Sequence, residues 1–403
     1  MSFQHGMSGL SAAARNLDVI GNNVANANTV GAKSSRAEFA DLYANILPGQ
    51  STTSTGIGVM VASVAQQFGQ GDIVATQNPL DMAINGRGFF RVESEGVTQY
   101  TRNGQFRMDK DGYIVTSGGA RLTGYPVDMN GQVNTGTARA LRISTADIAP
   151  QPTRLAQAQL NVDASVAALT VPFDPESPET YHGAMSLSVY DTLGRDHQVT
   201  LYFRKTGDNA WAVHGSADGT VLAGAPQALA FDPAGRMIAP AGPFDLTIPV
   251  GADAGGTLDF RVDLTQSTQY GAGFATTSIS QDGYGTGRLA GFSADSSGML
   301  IGRYSNGQTR AQGQVVLADF VNPQGLVPLG NNVWIEGAAS GQATIGSPGA
   351  GVLGSLQAGA VENSNVDLTA ELVNMISAQR VYQANAQTIK THDQLMQTIV
   401  NLR

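Results

Sequence analysis

The sequence contains no cysteine, which excludes disulfides, thiolate nucleophiles and cysteine-ligated zinc together. Charge is also scarce: 14% of the 403 residues are charged, against roughly 25% in ordinary soluble domains, so Gln, Asn, Ser and Thr must cover the surface. No apolar run approaches the ~18 residues that span a bilayer, and no membrane insertion is expected. A net charge of -9 and the lack of any Lys/Arg run argue against a nucleic-acid partner. The opening "MSFQHGMSGL" has neither the basic start nor the apolar middle of a cleaved secretory signal. A chain without cysteine can occupy an oxidising space without mispairing, so export by a dedicated route that leaves the chain uncleaved is compatible with both features.

Glycine is plentiful, at 49 residues, and the length allows roughly two to four domains, each with its own core. The two ends differ from the rest. Phe3, Met7, Leu10, Ala14, Leu17 and Val24 recur four and three apart, interrupted at Gly21, which is the seam of a heptad helix. Leu372, Met375, Gln379, Tyr382, Ala386, Ile389, Asp393, Met396 and Val400 repeat the spacing at the other end. Ser2 is expected to cap the first helix. Ser364 or Asn365 is expected to cap the last, with Asp367 and Glu371 near its positive end. A helix over 366–402 would be on the order of 55 Å long.

The outer faces of these helices carry little charge. Arg15 and Asp18 are the firm charges of the first, and the last shows Gln383, Asn385, Gln387, Gln394, Gln397 and Asn401 where solvated helices usually show Lys and Glu. Such faces suit burial against other copies of the same chain, so self-association through the seams is expected. An isolated copy, lacking those partners, is expected to leave both ends without order.

Between the ends, short alternating runs such as "DMAINGRGFFRVES", "QYTRNGQFRMDKDGYIVT", "MSLSVYDTLGRDHQVTLYFR" and "GQVVLADFV" read as strands. Asn85-Gly86, Asn103-Gly104, Asn130-Gly131 and Asn306-Gly307 are read as tight hairpin turns. A spacing of apolar, Asp, Gly, apolar recurs at Phe106/Asp109/Gly112/Ile114, Leu229/Asp232/Gly235/Met237 and Phe292/Asp295/Gly298/Leu300, and predicts three similar hairpins.

The fold class is therefore mainly β with long α-helical coiled-coil termini, in a discontinuous multidomain arrangement. Residues 1–28 and 364–403 are assigned to a terminal helical domain and 29–70 to an extended or irregular connecting segment. Residues 71–145 and 285–363 are assigned to a discontinuous β domain, and 146–284 to an inserted outer β domain.

No catalytic, cofactor or metal site is expected. Gly86-Arg87-Gly88 lacks the third glycine and following helix of a dinucleotide loop. Asp109 to Gly112 resembles half a calcium loop, but Gly112 comes too early and Ala120 occupies the closing position. His5, His182, His197, His214 and His392 form no metal-ligand spacing, and no G-x-S-x-G elbow occurs. Paired carboxylates of a glycosidase, which meet only in three dimensions, stay open. A binding module would need aromatic platforms, for which Trp211 and a few tyrosines are the candidates in the insert.

Three stretches resemble the bacterial flagellar rod and hook family. They are "SGLSAAARNLDVIGNNVANANTVGAKSSRAEF", "NPLDMAINGRGFFRV" and "SNVDLTAELVNMISAQRVYQANAQTIKTHDQLMQTIVNLR", and with "YTRNGQFRMDKDGYIVTSGGARLTGYP" the resemblance covers 1–145 and 285–403. The central motif supplies Asn78, Pro79, Leu80, Asp81, Gly86, Gly88, Phe89 and Phe90. Where the family usually has an aromatic residue before a lysine, this chain has Ala32-Lys33.

The long insert resembles the hook members of that family, since the rod members are shorter there. The resemblance implies a structural subunit that self-polymerises outside the cell into a bent hollow tube and passes torque from rod to filament. It implies three radial layers, with the terminal helices innermost. It also implies export by the flagellar type III apparatus, assembly under a hook cap protein, and contact with the distal rod protein and the hook–filament junction proteins. A distal rod subunit or an adhesin-like surface module are the alternatives.

Overall fold

The computed structural model describes residues 2–42, 56–128 and 131–401, within which two compact units are present. The first comprises 1–144, 291–303 and 309–403, the second 145–290 and 304–308. The insert thus extends to Ala290 and takes in 304–308, beyond the boundary at 284 that composition suggested. The correction has a local cause, because Ile148 and Gly287 exchange backbone hydrogen bonds and so hold 285–290 against the insert's own start.

In the first unit, α1 (Ser2–Ala25) and α2 (Leu368–Asn401) are the terminal helices, the latter about 51 Å long. Both are helical in a single copy and pack on each other, which corrects the expectation of ends without order: each helix is the other's first partner. The cap of α2 is Asp367, whose Oδ1 accepts from Thr369 N at 2.8 Å and Ala370 N at 3.1 Å. Asn365 does not cap. Its Oδ1 accepts from Ser34 N at 2.8 Å, and its Nδ2 donates to Gln67 O at 2.8 Å.

The segment 29–70, expected to be extended or irregular, contains β1 (Ser35–Leu42) and β2 (Gly58–Gln66), an antiparallel ribbon in the register Ser35↔Gln66 with a bulge at Glu38/Phe39. Its alternation is poor: Phe39, Met60 and Val64 are all largely exposed, so the apolar residues do not mark one buried face at a two-residue period.

The β body follows. β3 (Ile73–Ala75) pairs with Ala360–Glu362, and β4 (Met82–Asn85) pairs with Ser355–Ala358, so the two halves of the unit interlock directly before α2. β5 (Phe89–Ser94) and β6 (Val97–Thr101) lie within a larger sheet. Its path runs Leu289–Ala294, Met299–Tyr304, Thr309–Val315, Arg121–Pro126, β5, β6, Val333–Ile335 and Val327–Gly330. Phe68, Phe89, Tyr100, Phe320 and Trp334 meet edge to face with ring centroids 4.8–5.9 Å apart, the favoured aromatic geometry.

All three Asp–Gly hairpins are present. Asp109, Asp232 and Asp295 each accept two backbone N–H groups of their own turn on Oδ1, and Gly112, Gly235 and Gly298 take the left-handed position at φ 84°, 78° and 79°. The Asn-Gly pairs behave less uniformly. Asn306-Gly307 joins paired strands, and Asn130 lies outside the described residues. Asn103-Gly104 and Asn85-Gly86 join strands that pair elsewhere, which corrects their reading as hairpin turns. At Gly104 a Cβ would lie 1.6 Å from Met82 O, so glycine is required there by backbone approach.

The second unit holds two sheets around one core. One sheet comprises Gly183–Tyr190, Asp196–Gly207, Ala210–Ala217, Gln227–Phe231 and Met237–Ala239. The other comprises Phe244–Pro249, Thr257–Asp263, Leu155–Asp163 and Thr268–Tyr270, with Ala275–Gln281 added on Leu155–Asp163. Alternating residues such as Leu160, Val162, Val189, Val199, Phe203, Ile248 and Val262 fill the space between.

Candidate self-assembly interface

The two helices run antiparallel. Gly6 lies against Ile389 and Asn385, Gly9 against Asn385, and Asn23 Nδ2 donates to Glu371 Oε1 at 3.1 Å, so numbers rise on one helix as they fall on the other. A Cβ on Gly6 would lie 3.0 Å from Ile389 Cγ1, and one on Gly9 would lie 2.9 Å from the Asn385 amide. Small residues therefore let the backbones approach. A second face of α1 meets the ribbon: His5 Nε2 contacts Gly56 O at 2.7 Å, and Asn23 exchanges two 2.8 Å hydrogen bonds with the Ser35 backbone. An apolar cavity of about 600 Å³ remains between α1, the ribbon and α2, lined in part by Ala13, Ile20, Phe39 and Val381.

The intrachain contact is rotated by one residue from the expected seam on α1, and on α2 it is offset at Glu371, Ala378, Asn385 and His392 while keeping part of the expected seam. On α1 the buried positions are Gly6, Ala12, Ala13, Ile20 and Asn23, while Met7 is 51% exposed and Leu10, Leu17 and Val24 are half-buried. On α2 Ala378 is buried and Glu371, Asn385 and His392 are half-buried, as are Met375, Ala386 and Ile389 from the expected seam. Leu372, Tyr382 and Met396 are exposed. Phe3 and Val400 lie in the helices but outside the side chains described. The offset is set by Gly6, Gly9 and Ala378, small residues that let the backbones approach, with Ile20, Met375 and Ile389 packed beside them.

A strip of large apolar side chains is therefore left on α2. Leu368, Leu372 and Ile376 succeed one another at intervals of four, with Val373 beside them, and Leu372 and Ile376 are 48% and 52% exposed. Leu395 and Met396, near the far end, are also exposed, on other faces of the helix. In one copy this area faces water, a cost of ~1 kcal/mol for each half-exposed Leu or Ile relative to burial.

Below the helices lies a site the sequence reading missed. Glu362, fully buried, accepts from Lys33 Nζ at 2.6 Å on Oε1 and from Arg102 Nη1 at 3.1 Å on Oε2. Gly71 N also donates to Oε1, at 2.9 Å, and Lys33 Nζ donates to Gly69 O at 2.7 Å. Burial pushes the Lys33 ammonium below its usual range, against the opposing pull of Glu362. Ala32, in the place of the family's aromatic residue, is buried beside it.

Of the expected motif residues, Gly86 and Phe89 touch this cluster through Arg102. Asp81 accepts from Thr76 Oγ1 and Asn78 Nδ2, both at 2.8 Å, and its carbonyl accepts from Gly359 N at 2.7 Å. Leu80 N donates to Asn78 Oδ1, so "NPLD" is a self-bonded turn locking β4 to the strand before α2. Gly86 and Gly88 have φ of 112° and 120°, and Gly86 O accepts from Arg102 Nη2 at 2.9 Å. Phe89 and Phe90 are buried, with Arg102 5.3 Å above the Phe89 ring. Pro79 lies within the turn. These are packing roles. Among the described residues no group of three or more His, Asp or Glu is placed to hold a metal ion, and no helix is long and apolar enough to cross a membrane.

Four family models match: a flagella basal body rod protein over 3–33, a flagellar hook protein FlgE/F/G D1 domain over 83–172, a flagellar basal body protein FlaE D2 domain over 159–284, and a flagellar basal body rod FlgEFG protein C-terminal region over 357–402. Flagellar hook protein FlgE of Escherichia coli (strain K12) is 42% identical over 414 residues, covering 100% of both chains. The chain belongs to the flagellar hook protein family. The hook protein of Borreliella burgdorferi is 32% identical, covering 100% of this chain and 99% of its own. The fold of this family member is also that of the crystal structure of Helicobacter pylori flagellar hook protein FlgE2, at a TM-score of 0.51 and 13% identity over 70% of this chain and 99% of the other.

Within the family frame, the C-terminal model covers the exposed apolar strip of α2, and the rod-protein model covers α1 through Lys33. The D2 model lies inside the second compact unit. Trp211 of that unit is buried, with Nε1 donating to Gln269 Oε1 at 2.9 Å, and so offers no aromatic platform to a ligand.

Proposed function

We propose that this chain polymerises with copies of itself into the hollow, bent tube of the flagellar hook, outside the cell, where it passes torque from rod to filament. The observation that carries the reading is the strip Leu368, Leu372, Val373 and Ile376, large apolar side chains left in water by a helix that already has an intrachain partner. Copies packed side by side would cover it, with the helices innermost around the channel. The role is mechanical and uses no catalytic group or cofactor. The reading includes uncleaved export through the flagellar type III apparatus, assembly under a cap protein, and end contacts with the distal rod protein and the junction proteins.

Concentrated, purified chain examined by electron microscopy tests the reading. Tubes are expected from the full chain, and monomers from a chain lacking 368–403. Tubes from the shortened chain would refute the role of α2.

A further inference from the structure

Glu362 is held where four stretches of chain converge: the exit from α1, the approach to β3, the end of β6 and the entry to α2. Backbone meets backbone at each crossing. A Cβ at Gly31 would lie 2.5 Å from Asn103 N, and one at Gly71 would lie 2.1 Å from Asn363 O, closer than any side chain could be tolerated. Gly31 N donates to Glu362 O at 2.8 Å, and Asn363 N to Asp72 O at 2.9 Å. Asn332 Nδ2 holds Val30 O at 3.1 Å from the far side.

A buried ion pair adds little net stability over well-packed apolar residues, yet removing one partner is costly, because the other charge is stranded. Its effect is geometric, since two charges and a carboxylate with fixed partners admit one arrangement. Here Lys33 follows α1 closely and Glu362 precedes α2 closely, so one carboxylate restrains the roots of both helices at once. Arg102 ties the same carboxylate to the β body, through Gly86 O and the Phe89 ring.

We propose that Lys33, Arg102 and Glu362 form a rigid joint that sets the direction in which the paired terminal helices leave the β body, so that force applied to the helices is carried into the body without bending the connections. The clause on force rests on the polymer reading. The joint itself does not, because it is formed within one copy.

The absence of cysteine allows clean spin labelling of the full chain at Lys110→Cys and Gln379→Cys, both exposed positions, the first on the β body and the second on α2. The unmutated joint should give one narrow distance distribution. Glu362→Gln, which keeps shape and removes charge, should at least double its width and speed amide exchange in 366–378 about a hundredfold. Unfolding of the unit 145–290 should not change. Glu362→Asp, which keeps the charge and shortens its reach, should also broaden the distribution, and it decides the matter if Glu362→Gln fails to fold. Narrow distributions and unaltered exchange in the folded variants would overturn the joint. If the distributions broaden as expected but the unmutated chain never forms tubes, the joint stands and the polymer reading falls.

Discussion

Leu372→Asp separates what α2 does within one copy from what it does between copies. Leu372 is 48% exposed, and it sits in the first turns of α2, near the positive end of the helix. In the isolated chain the substitution removes only part of a contact, and it places a negative charge where the helix dipole favours one, so the net change should stay within about 0.5 kcal/mol. In a polymer the balance differs. Burying the exposed half of a leucine is worth ~1 kcal/mol, and that gain is lost. An unpaired carboxylate in a dry seam adds roughly 2–4 kcal/mol. The total, about 3–5 kcal/mol per subunit, raises the critical concentration by roughly a hundredfold to several thousandfold.

The assay pairs circular dichroism melting of dilute chain, expected to be unchanged, with sedimentation and negative-stain microscopy over a concentration series. Polymers of normal length at the unmutated critical concentration would refute the argument. A large fall in the melting point of the dilute chain would also refute it, because it would mean that Leu372 is held by its own copy.

Gly6→Val with Gly9→Val should pry α1 from α2 and lower helicity at 222 nm, because the new Cβ atoms alone would lie 3.0 and 2.9 Å from Ile389 and Asn385, and each carries two further methyl groups. Gly21→Ala is the control: nothing lies within 4 Å of the new Cβ, so α1 should gain about 0.5–1 kcal/mol of stability in the same melts. In the second unit, burial alone would raise the Asp191 carboxyl, but the Arg195 backbone and guanidinium and the Leu193 N–H outweigh it and hold the value below the ordinary 3.8. Asp263 is lowered chiefly by the Thr265 hydroxyl and N–H. Groups lowered in the fold contribute stability that is present above the ordinary carboxylate value and lost as pH falls through the folded values. Urea midpoints followed by Trp211 emission should therefore hold steady from about pH 7 to 5 and decline below about pH 4, and Asp191→Asn should flatten that decline.

The heptads of both ends, the strands of the body and the three Asp–Gly hairpins could all be read from spacing, because in each the local chemistry repeats at the period of the element. The rotation of the helix contact by one residue could not. Gly6, Gly9 and Ala378 carry no hydrophobic signal, and only the approach of a second backbone makes them the interface. The Glu362 cluster was hidden for a different reason. Lys33, Arg102 and Glu362 are far apart in the chain, and nothing in any one neighbourhood announces a partner. A hint was present, though: in a chain with so few charges, a lone lysine in "VGAKSS" and a lone glutamate in "GAVENS" stand in stretches otherwise built for burial. Asp191, whose Oδ1 accepts from Leu193 N and Arg195 N before Gly194 at φ 81°, makes a fourth turn of the same design. It departs from the spacing because Ser188 and Asp196 stand where the other three have apolar residues.

The one-residue offset bears on assembly. Successive residues on a helix point about 100° apart, so a contact through Glu371, Ala378 and Asn385 and a strip through Leu368, Leu372 and Ile376 occupy neighbouring faces of α2. A helix whose apolar strip coincided with its intrachain contact would be satisfied in one copy and would have nothing left to offer a second. With the faces rotated apart, Gly6, Gly9 and Ala378 bring the backbones together beside Met375 and Ile389, while Leu368, Leu372 and Ile376 stay uncovered. The few charges and many amides on the rest of α2 then keep desolvation inexpensive when neighbours arrive. Intrachain pairing and assembly therefore use different side chains, which is why a substitution at Leu372 can stop assembly without unpairing the helices, whereas one at Gly9 must disturb both.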